Sequence, residues 1–381
     1  MTRAATPRTP TRALSPLDSF LLVAAVWLVS RAAIAAVVWT QAQTAHQSVG
    51  DVLARWDVEH FLGIARQGYA NPDDVAFFPG LPALLAAADR LGLPMLGTGV
   101  VLAVGASALA AWALARLGGP VAACLWLIAP TAVFTAVPYT EALFCAAAFW
   151  AWWFARENRW GAAAACAAIA CTFRVSGLFL AGALAVLAVT QIVGGKGEVW
   201  WRGLARRWAW LLVPLAVLGA YELYLHGLTG SWRAWVDAQQ NGWTRGFSNP
   251  LQSLRHTLEV ARPSYWPGRP EVAWVFRAEI VSMALGLVTT AWSLVKRRWA
   301  EAAFVGVQVV AFGTSWWYMS VNRAVLGWFP LFVLAAGLVT WRPERPRPRV
   351  AWRVLVGVAL VADLALMVVW TWLFATGRWA S

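Results

Sequence analysis

The chain has 381 residues, of which 60% are apolar and 13% charged. Soluble domains are about 45–50% apolar and about 25% charged, so a water-soluble globular fold is excluded, and so is a disordered chain. Trp occurs 28 times, and indoles gather at membrane–water boundaries. The net charge of +13 raises nucleic-acid binding as a question, and its distribution answers it in the negative.

A helix needs about 20 mostly apolar residues to cross the hydrocarbon. By that measure spans fall at roughly 17–40, 98–117, 120–137, 140–155, 160–173, 175–193, 208–227, 278–295, 300–317, 324–341 and 350–374. The fold class expected is all-α: a polytopic transmembrane bundle of about eleven spans, forming a single integral membrane domain over 1–381. The run at 160–173 is short, and reads as re-entrant or as half of a broken helix with 175–193.

The N-terminal tail, 1–16, contains Arg3, Arg8 and Arg12. It is expected on the cytoplasmic side, carrying the first span and not a cleavable signal. Alternating from there, the cytoplasmic segments also hold Arg116, Arg156, Arg159, Lys196, Arg202, Arg206, Arg207, Lys296, Arg297, Arg298, Arg342, Arg345, Arg347 and Arg349. More than half of the 31 basic residues lie there, with few acids, while the outer segments are nearly balanced. That is the positive-inside bias, and the surplus needs no nucleic acid.

Two outer loops are large, 41–97 and 228–277. Chemistry is therefore expected on that face. No internal repeat of the kind found in many transporters is visible. Cys124, Cys145, Cys166 and Cys171 sit in apolar runs without His, which argues against a disulfide scaffold and a zinc site.

The first outer loop carries the densest signal. Read as an interfacial helix over 53–66, it puts Trp56, His60 and Ile64 on one stripe with Asp57 and Phe61 beside it. Asp57 and His60 are three apart and can touch. A carboxylate beside an indole on an apolar border is costly to ionise, which ordinary surface charge does not explain.

Glu141 opens the span at 140–155, where an acid also suits the helix dipole. Arg174 lies between two apolar runs on the outer side, and a charge there is a site hypothesis. Glu141 and Arg174 can pair if their helices adjoin. Arg323 is a second outer-side arginine, just before a span. Arg31, Glu222, Arg353 and Asp363 read as structural.

An arginine clamps phosphate well, and a lone carboxylate can serve as general base. Together they suit glycosyl transfer from a lipid phosphate, whose leaving group needs no acid to protonate it. A nucleotide-sugar donor would call for a cytoplasmic Asp-x-Asp, and the sequence has none. The alternatives are a transporter or flippase of a lipid-linked sugar, which needs charges such as Arg31, Glu222 and Asp363 paired near mid-membrane, and a non-enzymatic scaffold.

At these residues the chain resembles the PIG-V-like mannosyltransferases. The resemblance rests on Arg55–Tyr69 (RWDVEHFLGIARQGY), Ala76–Pro82 (AFFPGLP), Tyr139–Phe144 (YTEALF) and Phe173–Gly177 (FRVSG), in the family order. Arg323 with Trp328-Phe329-Pro330 is similar to the family's last common block. The likeness is strongest over about 50–180 and thin across 194–320.

It implies a GT-C type membrane glycosyltransferase using polyprenyl- or dolichyl-phosphate mannose and forming an α-mannoside with inversion. Carried over, the catalytic acid is Asp57, with Glu59 the second choice. Glu59, His60 and Glu141 would support the base or orient the acceptor. Arg174 and Arg323 would bind the donor phosphate. The acceptor would be a glycolipid, lipoglycan or glycoprotein hydroxyl, and the site would lie on the outer face.

No metal ligand set is implied, although Asp57, Glu59 and Glu141 leave a divalent ion open. The family's Arg-Ser-Asn-Gly-like run reads Arg-Val-Ser-Gly here, so one polar position is lost. The Ala-, Arg- and Trp-rich usage points to a high-GC bacterium and its plasma membrane, or to the ER membrane in a eukaryote. Bacteria make no GPI anchors, so a bacterial enzyme would use another acceptor.

Overall fold

A computed structural model describes residues 15–193, 199–343 and 345–380. Arg3, Arg8 and Arg12, with most of the expected 1–16 tail, lie outside the described residues, as do Lys196 and Glu198. Among the described residues the chain is helical and no strand forms; a lone bridge joins Phe247 to Ser315.

Helix α1 (Pro16–Thr44) starts where Ser15 caps the Asp18 N–H and Pro16 presets the first turn. The first long loop then folds into α2 (Val49–Leu53), α3 (Asp57–Gln67), a 3-10 turn (Pro72–Ala76) and α4 (Gly80–Arg90). The expected 53–66 helix is thus interrupted: α3 begins at Asp57, and Trp56 lies outside it with φ 59°. The Ser48–Asp51 capping box had already set the start of the separate α2.

The chain crosses in α5 (Met95–Gly118) and turns back in α6 (Pro120–Leu127). The run at 120–137 does not form one helix. Pro130 and Pro138 bracket an irregular stretch with a 3-10 turn at Ala132–Thr135. Carbonyls freed inside an apolar bundle need donors. Arg31 of α1 supplies them, donating to the carbonyls of Leu127 (3.1 Å) and Thr135 (3.3 Å) and to Thr135 Oγ1 (2.6 Å).

Helices α7 (Glu141–Arg156) and α8 (Trp160–Phe173) form a hairpin through buried alanines, including Ala142, Ala151, Ala163 and Ala167. Small residues allow that close approach. The first residue of α7, Glu141, pairs with Arg174 just beyond α8. Helix α8 therefore brings the chain back over the depth that α7 crossed. It is distinct from α9 (Ser176–Val193). Gly177 permits the reversal: a Cβ there would lie 2.7 Å from Cys171 Cα.

Helix α10 (Trp200–Thr229) leads into the second long loop, with α11 (Ala234–Trp243) and α12 (Pro250–Val260). This loop lies on the first one: Trp235 Nε1 (3.2 Å) and Gln239 Nε2 (3.3 Å) both donate to the Ala76 carbonyl. Next come α13 (Pro270–Val295), α14 (Trp299–Gly313), the short α15 (Val321–Ala324), α16 (Phe329–Thr340) and α17 (Pro346–Ala375).

Among the described residues six helices, α1, α5, α9, α10, α13 and α17, are long and apolar enough to span a bilayer, and the segment from Val321 through α16 adds a pair bent by 77°. No more than half of each most apolar stretch is buried. Exposed Val354, Val358, Val361 and Leu364 on α17 are typical. Such faces are stable only against lipid, so the chain is an integral, multi-pass membrane protein.

The bundle is polarised by charge. Arg116 lies 5.0 Å from the Trp153 ring, Arg156 donates to the Leu117 carbonyl, and Arg207 lies 6.0 Å from the Trp160 ring. These arginines gather at the α7–α8 turn, the end of the bundle opposite Glu141.

Candidate active site

The N-terminal ends of α3, α7 and α9 and the segment after α14 converge on a cavity of about 930 Å³. Asp57 stands at the first position of α3, and its backbone N–H donates to the Tyr139 hydroxyl at 3.3 Å. The preceding Trp56, strained at φ 59°, packs edge-on against Trp379 at 6.0 Å. Such backbone costs roughly 1–3 kcal/mol and needs surrounding contacts to hold it.

Asp57 Oδ2 receives Arg323 Nη1 at 2.8 Å. Arg323 Nε reaches Glu141 Oε1 at 2.7 Å, and the same oxygen takes Arg174 Nη1 at 2.7 Å. The result is a chain of alternating charge: Asp57, Arg323, Glu141, Arg174. Its outer members line the cavity, with side chains 19% and 21% exposed, while Glu141 is sealed behind them at 2%.

Asp57 Oδ1 has no partner among the described residues. Arg174 spends Nη1 on Glu141 and on Thr140 Oγ1 (3.0 Å), and its Nε and Nη2 have no partner there either. The Arg323 guanidinium also lies over the Tyr139 ring (4.8 Å) and the Phe134 ring (5.0 Å).

Of the residues expected to form the site, Asp57, Glu59, His60, Arg174 and Arg323 all line this cavity. Glu59 is exposed at its rim. Glu141 does not reach the cavity; it holds two arginines from behind. Among the described residues Arg31, bound to two carbonyls and Thr135 Oγ1, forms no charge pair.

His60 Nδ1 lies 2.8 Å from Asp74 Oδ1, and Asn71 Nδ2 donates to the other oxygen at 3.2 Å. The imidazole stacks on Phe77 at 4.7 Å. Asp74 is buried, so it fixes a ring that faces the cavity. The Phe173–Gly177 segment puts Val175 and Ser176 on the cavity wall, the valine making an apolar contact at the lost polar position. Gly80 of the second motif is needed for close approach: a Cβ would sit 2.7 Å from the Thr172 carbonyl oxygen.

Three contributors escape the sequence reading: Asp74, Glu279 and Arg245. Glu279 of α13, buried, accepts the N–H groups of Ser320 (3.0 Å) and Asn322 (2.9 Å). It thereby steadies the turn at Ser320, φ 63°, that presents Arg323. An acid inside an apolar helix was a usable signal. Arg245 carried none, being one arginine in a long polar loop. Among the described residues no three His, Cys, Asp or Glu side chains gather as a metal site.

The cavity wall is aromatic, with Phe77, Trp235, Trp243 and Phe247 from the two long loops. Phe179 of α9 and Phe312 of α14, which lie on neighbouring helices, carry the apolar lining into the bundle.

No family model matches the chain. A 151-residue segment is 37% identical to GPI alpha-1,6-mannosyltransferase 2 of Mus musculus, covering 35% of this chain and 31% of that protein. The chain is similar, over that segment, to a mannosyltransferase. The Rattus norvegicus protein of the same name is 36% identical over the same length, with the same coverage. The Homo sapiens protein is 40% identical over 116 residues, 26% of this chain and 24% of its own. The chain thus spans at most about a third of the length of these curated relatives. The names agree with the PIG-V-like resemblance read from the motifs.

Proposed function

We propose that this chain is a membrane glycosyltransferase that moves mannose from a polyprenyl- or dolichyl-phosphate mannose donor to a hydroxyl of a glycolipid, lipoglycan or glycoprotein acceptor, with inversion. The observation that carries the reading is the state of Asp57. One oxygen is anchored by Arg323 and the other is open to a cavity that also holds the unpartnered N–H groups of Arg174.

The step needs little else. Asp57 Oδ1 takes the proton of the acceptor hydroxyl, whose oxygen attacks C1 of mannose. The bond from C1 to the phosphate oxygen breaks, and its electron pair stays on the phosphate. Arg174 meets that charge with Nε and Nη2, and the field of Arg323 adds to it. Attack opposite the leaving group inverts the anomeric centre. Inverting hydrolysis uses two carboxylates, whereas a phosphate leaving group dispenses with the acid.

The surrounding groups suit the substrates. Aromatic rings such as Trp235 and Trp243 offer faces to the apolar side of a pyranose. Phe179 and Phe312 offer a polyprenyl chain an apolar path from the bilayer. The basic end of the bundle lies opposite, and the positive-inside bias supports a cavity on the outer face. In a bacterium that is the outer face of the plasma membrane, and in a eukaryote the lumenal face of the ER.

The deciding experiment supplies purified protein with labelled polyprenyl-phosphate mannose and a panel of lipid and glycan acceptors. Transfer that disappears in Asp57→Asn while the variant still inserts and folds is expected. Full transfer by that variant would refute the assignment of Asp57.

A further inference from the structure

Arg245 lies between α11 and α12, half-buried on the wall of the cavity. Its hydrogen bonds go to neutral groups: Nη1 donates to Gln239 Oε1 at 3.1 Å and Nη2 to the Met319 carbonyl at 3.2 Å. Among the described residues it forms no ion pair with a carboxylate. Asp57 is already answered by Arg323 and Glu141 by Arg323 and Arg174, and the other acid of the lining, Glu59, is exposed at the rim.

A guanidinium withdrawn from water without an acid is costly, and one that lines an open cavity leaves room for a counter-charge to reach it. Burial, and then the charges of Arg323 and Arg174, push the Arg245 guanidinium down to about 10, although Glu279 and Asp57 pull the other way. The four-membered chain from Asp57 to Arg174 is neutral as a whole. Arg245 lies beyond it on the same cavity, as does Arg55, which donates to the Ala375 carbonyl and to Gln47 Oε1.

We infer that Arg245 forms, with the open face of Arg174, an anion subsite that takes a phosphate ester. Gln239 and the Met319 carbonyl hold two of its nitrogens in place, so the planar fork is oriented before the ligand arrives. The inference rests on the mannosyl-transfer reading only for the source of the phosphate: the diester of the lipid-linked donor, or a phosphate borne by the acceptor. The chemistry of the subsite is the same in either case.

The test measures binding without turnover. Purified protein in detergent is titrated with polyprenyl phosphate and, separately, with a short-chain phosphatidic acid, by calorimetry and by thermal shift. Arg245→Gln removes the charge, and Arg245→Lys keeps it without the fork. A charge-assisted contact is worth enough to change affinity about tenfold to a hundredfold. Wild type is expected to bind one phosphate ester and gain melting temperature. Arg245→Gln should lose about that factor, and Arg245→Lys should fall between.

The ligand whose affinity drops names the source, with a raised KM for donor or acceptor as the kinetic counterpart. Wild type that binds neither compound overturns the subsite even if Arg245→Gln fails to fold. So does a folded Arg245→Gln variant that binds both as wild type does. Loss of transfer in Asp57→Asn alongside either result would leave the proposed activity standing without this subsite.

Discussion

Arg323 bridges two acids, Nη1 to Asp57 Oδ2 at 2.8 Å and Nε to Glu141 Oε1 at 2.7 Å. A base shared in this way is oriented without being wholly neutralised, because the arginine divides its charge between two acids. The price is a buried network in which each member depends on the next.

Asp57→Asn keeps the shape and the Arg323 contact while removing the proton acceptor. Transfer is expected to fall by about 10²–10⁴-fold, the span typical of a general base. Melting temperature should change little beside that loss. A rate within tenfold of wild type would transfer the role to another group, with Glu59 at the rim the next to test.

Removing Glu141 tests the other end of the network. It leaves Arg174 and Arg323 without their shared acid, and breaking a buried pair costs about 3–5 kcal/mol. Glu141→Ala is expected to lower stability by that order. Arg323→Lys should do less harm to stability, yet lower kcat, because an ammonium offers a point charge where the guanidinium spans two acids. A double-mutant cycle between positions 141 and 323 should show coupling; additive effects would contradict the bridge.

Much of this site was legible in the sequence. Asp57, Glu141 and Arg174 stood out because charge in apolar surroundings is informative in a membrane protein. The pairing of Glu141 with Arg174 followed from an α7–α8 hairpin, which hydrophobicity alone could suggest. The break after Leu127 was masked: the run 120–137 has the hydrophobicity of a span, and Pro130 within it is no proof of a break, because membrane helices tolerate proline; the donors of Arg31 show how the freed carbonyls are satisfied. Asp74 and Arg245 were hidden for a different reason. Each gains meaning from a contact across loops, His60 with Asp74 within the first and Arg245 with Met319 across 74 residues, and short-range pattern does not record those.

His60 and Asp74 offer a readout of positioning. If the buried carboxylate acts by fixing the imidazole toward the cavity, Asp74→Asn should lower kcat several-fold or more while KM for the donor stays nearly constant. His60→Gln should match it, and the double variant should be no worse than either single one. Additive losses would mean that Asp74 merely holds the 69–79 segment in place.

The charge of Arg245 makes anion binding sensitive to alkali. Burial holds its guanidinium down to about 10, below the ordinary arginine range. Above about pH 10 the unfolded chain therefore retains a proton that the folded one has lost. Keeping the charge disfavours the fold below about pH 10, and the penalty is relieved above. Phosphate-ester affinity should run the opposite way, falling as pH rises through about 10, when the cation disappears. Arg323 and Arg174 favour that loss, and Glu279 and Asp57 oppose it. In Arg245→Gln the alkaline decline should flatten; an unchanged decline would assign it to another group.

Sidedness can be read from one residue on the helix that begins at Asp57 and one at the basic end of the bundle. Arg66 on α3 and Glu157 at the α7–α8 turn are both exposed. In a background with the four native cysteines replaced, Arg66→Cys should react with a membrane-impermeant maleimide added to intact cells, and Glu157→Cys should react only after permeabilisation. The positive-inside bias demands that order, because moving the arginine-rich end across the membrane would oppose the electrostatic preference that orients every span. The reverse labelling pattern would put Asp57 in the cytoplasm, where a lipid-phosphate sugar presented on the outer leaflet could not reach it.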